Sequence, residues 1–393
     1  PCTISHVAVQ MSHDERGEEQ AHLAKLCAQF GVSAPSDAAS CFYQNLGDFE
    51  VRWERHTEFS TYTFIRKVAG NPLREPSALS YIPDEWLATL PGRATTALHL
   101  AFNAAEGPPE AAELERYFEK QPLRGGVVRR GTAYLFSSFR LHSDGFGRLV
   151  LQARELTPLQ AGRLVQRVLE IETYRVMSLL ALPVARAITP DVGAMERELA
   201  RSNEALTQAD EATDQHALLD ELSNLAARVE RLRSDTTYRF AATNAYFDLV
   251  RERNRELTEE KIPGLQPIHV FIKRRLAPGI RTCNAVRDRL EGLSHRISQT
   301  SSLLRARVEL SMQGQNRELL ASMNRRSETQ LRLQQAVEGL SVVAITYYLM
   351  GLLSYVWEGI AWAGWPWSKK ITFAIAVPLV MLIAWRIIHG VKR

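Results

Sequence analysis

Two apolar stretches close to the length of a membrane-spanning helix lie within about the last fifty residues. Leu340–Trp357 is a run of eighteen residues without a charge. Ile371–Trp385 is wholly apolar apart from Thr372, and the run continues past Arg386. A helix needs roughly 20 residues to cross the hydrocarbon core of a bilayer. We therefore expect a two-helix transmembrane hairpin, which would make this a membrane-anchored protein.

Basic residues flank the outer ends of the hairpin, and the connecting loop is rich in tryptophan. Positive residues favour the cytoplasmic side of a membrane, so both termini are expected in the cytoplasm. The tryptophans are typical of an aromatic belt at the opposite interface: Trp357, Trp362, Trp365 and Trp367. Six flanking side chains are expected to contact lipid headgroups: Arg325, Arg326, Arg332, Arg386, Lys392 and Arg393.

Four regions follow from the sequence pattern, and the predicted fold class is α+β/α. A cytosolic α/β domain is expected at 1–155, antiparallel and coiled-coil helices at 156–280, a basic stalk helix at 281–339, and the hairpin with a cytosolic tail at 340–393. No signal peptide precedes the first strand, and the chain does not begin with Met, so we expect further residues before Pro1. Alternation and composition predict strands at Thr3–Met11, Phe49–Arg55, Phe59–Arg66, Thr95–Phe102, Thr132–Phe139 and Arg148–Gln152, with helices near Leu23–Phe30 and Ala111–Phe118.

Helical periodicity begins at Thr157-Pro158, a typical cap followed by proline in the first turn. Breaks are expected at 263–267 and at Pro278-Gly279. Beyond these, one helix is predicted to run from about Cys283 into the first apolar stretch. A coiled-coil seam, with alternating spacings of four and three, is formed by Leu218, Leu222, Leu225, Val229 and Leu232.

The stalk carries the excess positive charge of the chain. Between Arg281 and Leu340 there are ten Arg against six Asp and Glu, and the whole chain has a net charge of +4. Cations beside a bilayer gain about 1 kcal/mol each from anionic headgroups, and no nucleic-acid-binding motif accompanies them. A helix from Cys283 to Trp357 would be on the order of 110 Å long. It needs neighbours, either the preceding helices or identical subunits, and we expect a homo-oligomer.

The sequence contains no familiar catalytic constellation and predicts no enzyme, cofactor or metal. Phosphate loops, dinucleotide fingerprints and metalloprotease motifs are all missing, and Gly125-Gly126 is assigned no role. Glu54, His56 and Glu58 would share one strand face, but neighbours on a face stand nearly 7 Å apart. That spacing favours a structural ladder with an Arg52–Glu54 pair over a metal site.

Tyr347, Gly351 and Ser354 of the first apolar stretch fall on one helix face with Glu358, the residue directly after it. In a ring of subunits this face, with Thr346 and Met350, would line a pore, and Glu358 would form a carboxylate ring at its outer mouth. Alternatively, the small residues let helices pack closely. Both interpretations remain open at the level of sequence.

Three segments, Trp53–Phe64, Asn316–Arg326 and Leu331–Tyr348, resemble a bacterial family known as domain of unknown function 3422. The resemblance covers nearly the whole chain. It implies membrane association, hence a bacterial inner (cytoplasmic) membrane location, and supplies no activity.

The order of regions also resembles that of CorA-type divalent cation channels, which assemble as pentamers around the first span. The Gly-Met-Asn signature of those channels is absent: Met350-Gly351 stands in the reverse order, and the end of the first span reads Glu358–Trp367. The resemblance therefore implies architecture without magnesium selectivity. It predicts an oligomeric inner-membrane protein, such as a pentamer, that conducts divalent or monovalent cations. The alternative is a non-conducting scaffold or sensor that recruits a partner through its cytosolic domain.

Overall fold

A computed structural model describes residues 1–11, 15–153, 155–208, 212–362 and 368–390. The chain divides into two compact units. The first comprises Pro1–Gln208 and Ala217–Ser301, and the second comprises Ala209–His216 and Ser302–Arg393.

A nine-stranded sheet forms the centre of the first unit, which confirms the predicted mixed α/β character. Its order is β2-β3-β4-β1-β5-β8-β7-β6-β9, and neighbouring strands are antiparallel except for the parallel pair β5–β8. All six predicted strands are present, and β2, β6 and β9 are additional. The strands are β1 (Cys2–Gln10), β2 (Cys41–Asn45), β3 (Glu50–Arg55), β4 (Phe59–Lys67), β5 (Arg93–Asn103), β6 (Arg124–Val128), β7 (Ala133–Leu141), β8 (Gly147–Ala153) and β9 (Glu260–Lys261).

Eight α-helices and one short 3₁₀ helix (Ala78–Tyr81) accompany the sheet in the described part of the chain. They account for most of the residues after Thr157, as the helical periodicity predicts. The helices are α1 (Arg16–Gln29), α2 (Asp84–Ala88), α3 (Ala111–Tyr117), α4 (Pro158–Met177), α5 (Ala181–Gln208), α6 (Ala212–Glu256), α7 (Ile268–Trp362) and α8 (Lys369–Gly390).

Helices cover both faces of the sheet because its central strands alternate between two apolar cores. Val7 and Val9 of β1 face the core that contains Leu23 and Leu26 of α1. Ile4, on the opposite face of β1, belongs to the core formed with α4, α6 and α7. The central strands are therefore buried on both sides.

The start of α4 follows from a capping box. The Thr157 hydroxyl accepts a hydrogen bond from the Gln160 backbone N–H, and the Gln160 side chain accepts one from the Thr157 N–H. Pro158 occupies the first turn, as the sequence predicts. From this start, Leu164, Val168 and Ile171 face the core on the sheet.

Polar pairs join α5, α6 and α7 within the first unit. Glu196 of α5 pairs with Arg289 of α7 at 2.7 Å, and Glu198 of α5 pairs with Arg228 of α6 at 2.7 Å. Asn244 of α6 donates to Asn284 of α7 at 2.9 Å. The predicted seam faces inward, since Leu222, Leu225 and Val229 are fully buried while Leu218 and Leu232 are half-buried.

The predicted break at Pro278-Gly279 is wrong, because α7 continues through both residues. A proline removes only one backbone donor from a helix, and packing against the start of α5 supports the helix at this point. A Cβ on Gly279 would lie 2.9 Å from Leu179 Cδ2 and 3.3 Å from Leu182 Cδ2. Gly279 therefore serves close helix packing and does not end the helix.

In the second unit, α7 and α8 expose most of their large apolar side chains. Tyr347 and Tyr355 are 75% and 77% exposed. Val342, Thr346 and Ala384 are buried, and a small apolar cavity is lined by Ile345 and Leu349 of α7 together with Val380 and Ile383 of α8.

Among the described residues, three helical stretches are long and apolar enough, by length and composition, to cross a membrane. Ile268–Ile360 and Lys370–Ile387 contain the two predicted spans. The third, Pro158–Thr207, belongs to the first unit, where Leu169, Met177 and other apolar side chains are buried. The apolar part of this third stretch is more buried than the apolar parts of the other two.

Candidate functional site: a cavity between the sheet and α4

A cavity of about 1180 Å³ lies between α4 and one face of the sheet. Strands β1, β3 and β4 form most of its floor, and α4 forms its wall. All of its lining residues belong to the first unit.

Strand pairing sets the order of side chains on the cavity floor. Arg52 of β3 is opposite Thr63 of β4, and Thr63 is opposite His6 of β1. Residues paired across antiparallel strands point to the same face, so these three form a polar row. The next row in one direction contains Ile65 and Ile4, which are also paired. On β3 this row continues to Glu50, which does not line the cavity, so the floor changes from polar to apolar across β4 and β1.

A chain of charged and amide groups occupies the polar side. Arg52 Nη2 lies 2.7 Å from Glu54 Oε1, and Arg52 Nη1 donates to Gln166 Oε1 at 3.5 Å. Gln166 in turn donates to Glu170 Oε1 at 3.0 Å. Arg253 of α6 donates to Glu170 Oε2 at 2.5 Å. Glu54 and Glu170 thus each have a guanidinium partner.

His6 lies between the floor and the wall. Its Nδ1 is 2.8 Å from Thr63 Oγ1, and its Nε2 is 3.0 Å from Thr173 Oγ1 on α4. Burial lowers the pKa of His6 to about 3, with a smaller contribution from His56 and Arg52. His6 is therefore neutral at physiological pH, and both ring nitrogens are engaged.

The apolar side is continuous with the core shared by the sheet and α4. Ile65, Phe102, Leu156 and Val165 are partly buried against that core and also line the cavity. The N-terminal turns of α4 complete this side with Pro158, Leu159 and Ala161. The charged residues that also line the cavity near these turns are exposed: Glu106, Glu155 and Arg163.

A smaller cavity of about 510 Å³ lies beside the turn between β3 and β4. His56 lines both cavities and stacks on Phe59, with 4.4 Å between ring centroids. Burial lowers the pKa of His56. The neighbouring Glu58 is buried and accepts hydrogen bonds from Tyr246 at 3.0 Å and from Arg239 at 3.3 Å.

The candidate metal ligands Glu54, His56 and Glu58 do not converge. Strand β3 ends at Arg55, so the regular alternation that would place all three on one face stops before His56. Glu54 pairs with Arg52, as predicted, whereas Glu58 binds α6 residues. Among the described residues, no group of three or more His, Cys, Asp or Glu is placed to hold a metal ion.

The residues predicted to line a pore differ in their exposure on α7. Tyr347, Gly351 and Glu358 are exposed, and Ser354 and Met350 are half-buried. Thr346 is buried and donates its hydroxyl to the Val342 carbonyl at 2.7 Å. The structure therefore places Thr346 on a different side of the helix from the exposed set.

The predicted headgroup contacts on α7 and α8 are exposed: Arg325, Arg326, Arg332 and Arg386. Lys392 and Arg393, together with Trp365 and Trp367 of the predicted aromatic belt, lie outside the described residues.

Sequence reasoning missed the cavity itself. The available signal was the polar side chains at alternate positions of two neighbouring strands, Arg52 and Glu54 in β3 and Thr61 and Thr63 in β4. Polar side chains that face inward in a sheet covered on both sides need either partners or a hydrated space.

No curated protein and no solved structure matches the chain. A family model does match it, over residues 1–393, under the description "Protein of unknown function (DUF3422)". Trp53–Phe64, one of the segments that carry the resemblance, forms the second half of β3, the turn and most of β4, at the floor of the cavity. On this full-length match, the chain belongs to the DUF3422 family.

Proposed function

We propose that this chain is a membrane-anchored ligand-binding protein. In this proposal α8 and the C-terminal part of α7 hold the protein in a bacterial inner membrane with both termini in the cytoplasm, and the sheet domain binds a small molecule. The observation that carries the proposal is the cavity. Its volume of about 1180 Å³ slightly exceeds the usual range for small-molecule sites, roughly 300–1,000 Å³, so it is large enough to hold a small molecule.

The apolar surface of the second unit supports the anchor. Soluble monomers rarely expose contiguous apolar patches beyond a few hundred Å². Here Leu340, Tyr347 and Tyr355 are each more than 70% exposed, and α8 exposes a comparable series from Ile371 to Ile387. Membrane lipids would cover these side chains, and the exposed Arg325, Arg326, Arg332 and Arg386 would contact their headgroups.

The polar side chains of the cavity favour binding over catalysis, because they are already paired or hydrogen-bonded to one another or to neighbouring residues. Glu54 is paired with Arg52, and Glu170 is paired with Arg253. His6 is neutral, with both nitrogens hydrogen-bonded. A general acid or base needs a proton that it can exchange with a substrate near the working pH, and His6, neutral and hydrogen-bonded at both nitrogens, offers none.

Native mass spectrometry of the full chain, released from detergent, tests the proposal. A co-purifying small molecule is expected on the wild type and should be lost from Gly162→Phe. Gly162 is an exposed residue of α4 that lines the cavity, and a Cβ there meets no atom within 4 Å. Gly292→Phe is the matched control, because Gly292 is also helical, exposed and open around its Cβ. Equal occupancy in both variants would reject the cavity as the binding site.

A second candidate is cation conduction by an oligomer with CorA-like architecture. It is favoured by the exposed face of α7 that carries Tyr347, Gly351 and Glu358, since a ring of subunits could bring this face to a central axis. A two-span subunit cannot enclose a pore alone. Mass photometry of the detergent-solubilised chain should therefore show a pentamer or a similar ring, and a monomer or dimer would remove this candidate.

A further inference from the structure

We infer that the cavity binds an amphipathic molecule, with an apolar chain and a polar headgroup that carries no net charge. This inference rests on the proposed function and names the ligand class of the same site.

The apolar side of the cavity indicates that the ligand contains an apolar chain. Ile4 and Ile65 form one row of the floor, and Phe102, Leu156 and Val165 continue it toward the N-terminal turns of α4. Burial of apolar ligand surface against such a wall is favourable at about 25 cal/mol per Å². A wholly polar ligand of matching size would leave this side without a partner.

The pairing of charged side chains on the polar side of the cavity indicates a headgroup that carries no net charge. Arg52 and Glu54 face the cavity as a pair, with side chains 35% and 28% exposed. Glu170 is compensated by Arg253, and the pKa of His56 is lowered by burial, which favours its neutral form. At the cavity edge, the lining residue Lys67 is paired with Glu50.

A headgroup with a single charge would break one of these pairs. An anion bound to Arg52 would displace Glu54, and a cation bound to Glu54 would displace Arg52. Leaving a partly buried charge without its partner is costly. A headgroup with one positive and one negative group engages both side chains at once, and no charge is left unpaired.

Three probes with the same lauryl chain separate these cases: lauroyl lysophosphatidylethanolamine, laurate and laurylammonium. Their binding to the full chain in amphipol is measured by native mass spectrometry. The zwitterionic probe is expected to bind about tenfold more tightly than either of the others, the size of effect that one charge-assisted hydrogen bond produces.

Two charge variants should invert the preference. Glu54→Gln frees Arg52 and should favour laurate by about tenfold, and Arg52→Gln frees Glu54 and should favour the ammonium probe by a similar factor. If both variants keep the wild-type order while Gly162→Phe still removes binding, the headgroup assignment is overturned and the binding site stands. If Gly162→Phe binds all three probes as Gly292→Phe does, the proposed function fails together with this inference.

Discussion

The imidazole of His6 and the hydroxyl of Thr173 are hydrogen-bonded at 3.0 Å, which ties the central strand β1 to α4. Thr173 donates its own hydrogen to the Leu169 carbonyl at 3.0 Å. Its oxygen must therefore accept from His6, so Nε2 carries the hydrogen and Nδ1 accepts from Thr63. This contact fixes the wall of the cavity to its floor.

Replacing Thr173 with Val should destabilise the first unit by about 1–3 kcal/mol, because the buried Nε2–H of His6 loses its acceptor. Thr189→Val is the control, since the Thr189 hydroxyl donates to the Ala185 carbonyl of its own helix. Hydrogen exchange of the β1 amides in the full chain measures the difference. Equal protection in the two variants would show that the tie between β1 and α4 contributes no stability.

Acid should destabilise the sheet domain through His6. The pKa of His6 is about 3 in the folded protein, against an ordinary value of 6.5. As the pH falls below 6.5, the unfolded chain binds a proton that the folded chain excludes, so stability is lost between pH 6.5 and about 3. The slope from this residue is about 1.4 kcal/mol per pH unit.

Protonation of His99 should also reduce the stability of the folded protein in acid, because burial lowers the pKa of this residue to about 4. Protection of β1 and β4 amides, corrected for intrinsic exchange, should therefore fall between neutral pH and about pH 5. His6→Gln removes one of the histidines that titrate in this range and should reduce the slope. An unchanged slope in that variant would assign the acid sensitivity to other residues.

The strands that the sequence predicts are those with a strong local signal. β1, β4 and β5 are long and rich in β-branched or aromatic residues, and local composition is sufficient to find them. β6 is not predicted from the sequence because it contains Gly125 and Gly126. Glycine weakens a strand and is found there mainly where another group approaches the backbone closely.

The cavity escapes prediction for a different reason. Arg52, Thr63 and His6 are distant in sequence, and only the register of three paired strands places them in one row. Gln166 and Glu170 join them from α4, with a spacing that is unremarkable in any helix. A site assembled by tertiary contacts leaves no local spacing to recognise.

Gly126→Ala should destabilise the first unit by about 1–3 kcal/mol. A Cβ at this position would collide with the carboxylate of Glu259. That carboxylate accepts hydrogen bonds from the Ile268 N–H at 2.6 Å and the His269 N–H at 2.9 Å, so it caps the first turn of α7. Displacing it would leave these donors unpaired.

Gly292→Ala is the matched control for that substitution, because a Cβ at Gly292 meets no atom within 4 Å. It should stabilise α7 by up to about 1 kcal/mol through helix propensity. Hydrogen exchange at the start of α7 distinguishes the two variants. Normal protection there in Gly126→Ala would mean that Glu259 can move aside without losing its capping role.

The conduction candidate depends on Glu358, which is exposed near the end of α7. If the oligomer conducts, Glu358→Gln should reduce cation flux into liposomes on the order of tenfold, because a ring of carboxylates raises the local cation concentration. Glu328→Gln makes the same change on α7 before the apolar stretch begins and should leave the flux unaltered. Conduction that persists in Glu358→Gln would remove this residue from the pathway. If the wild type carries no flux, the exposed face of α7 serves helix packing instead, through the small side chains at Gly351 and Ser354.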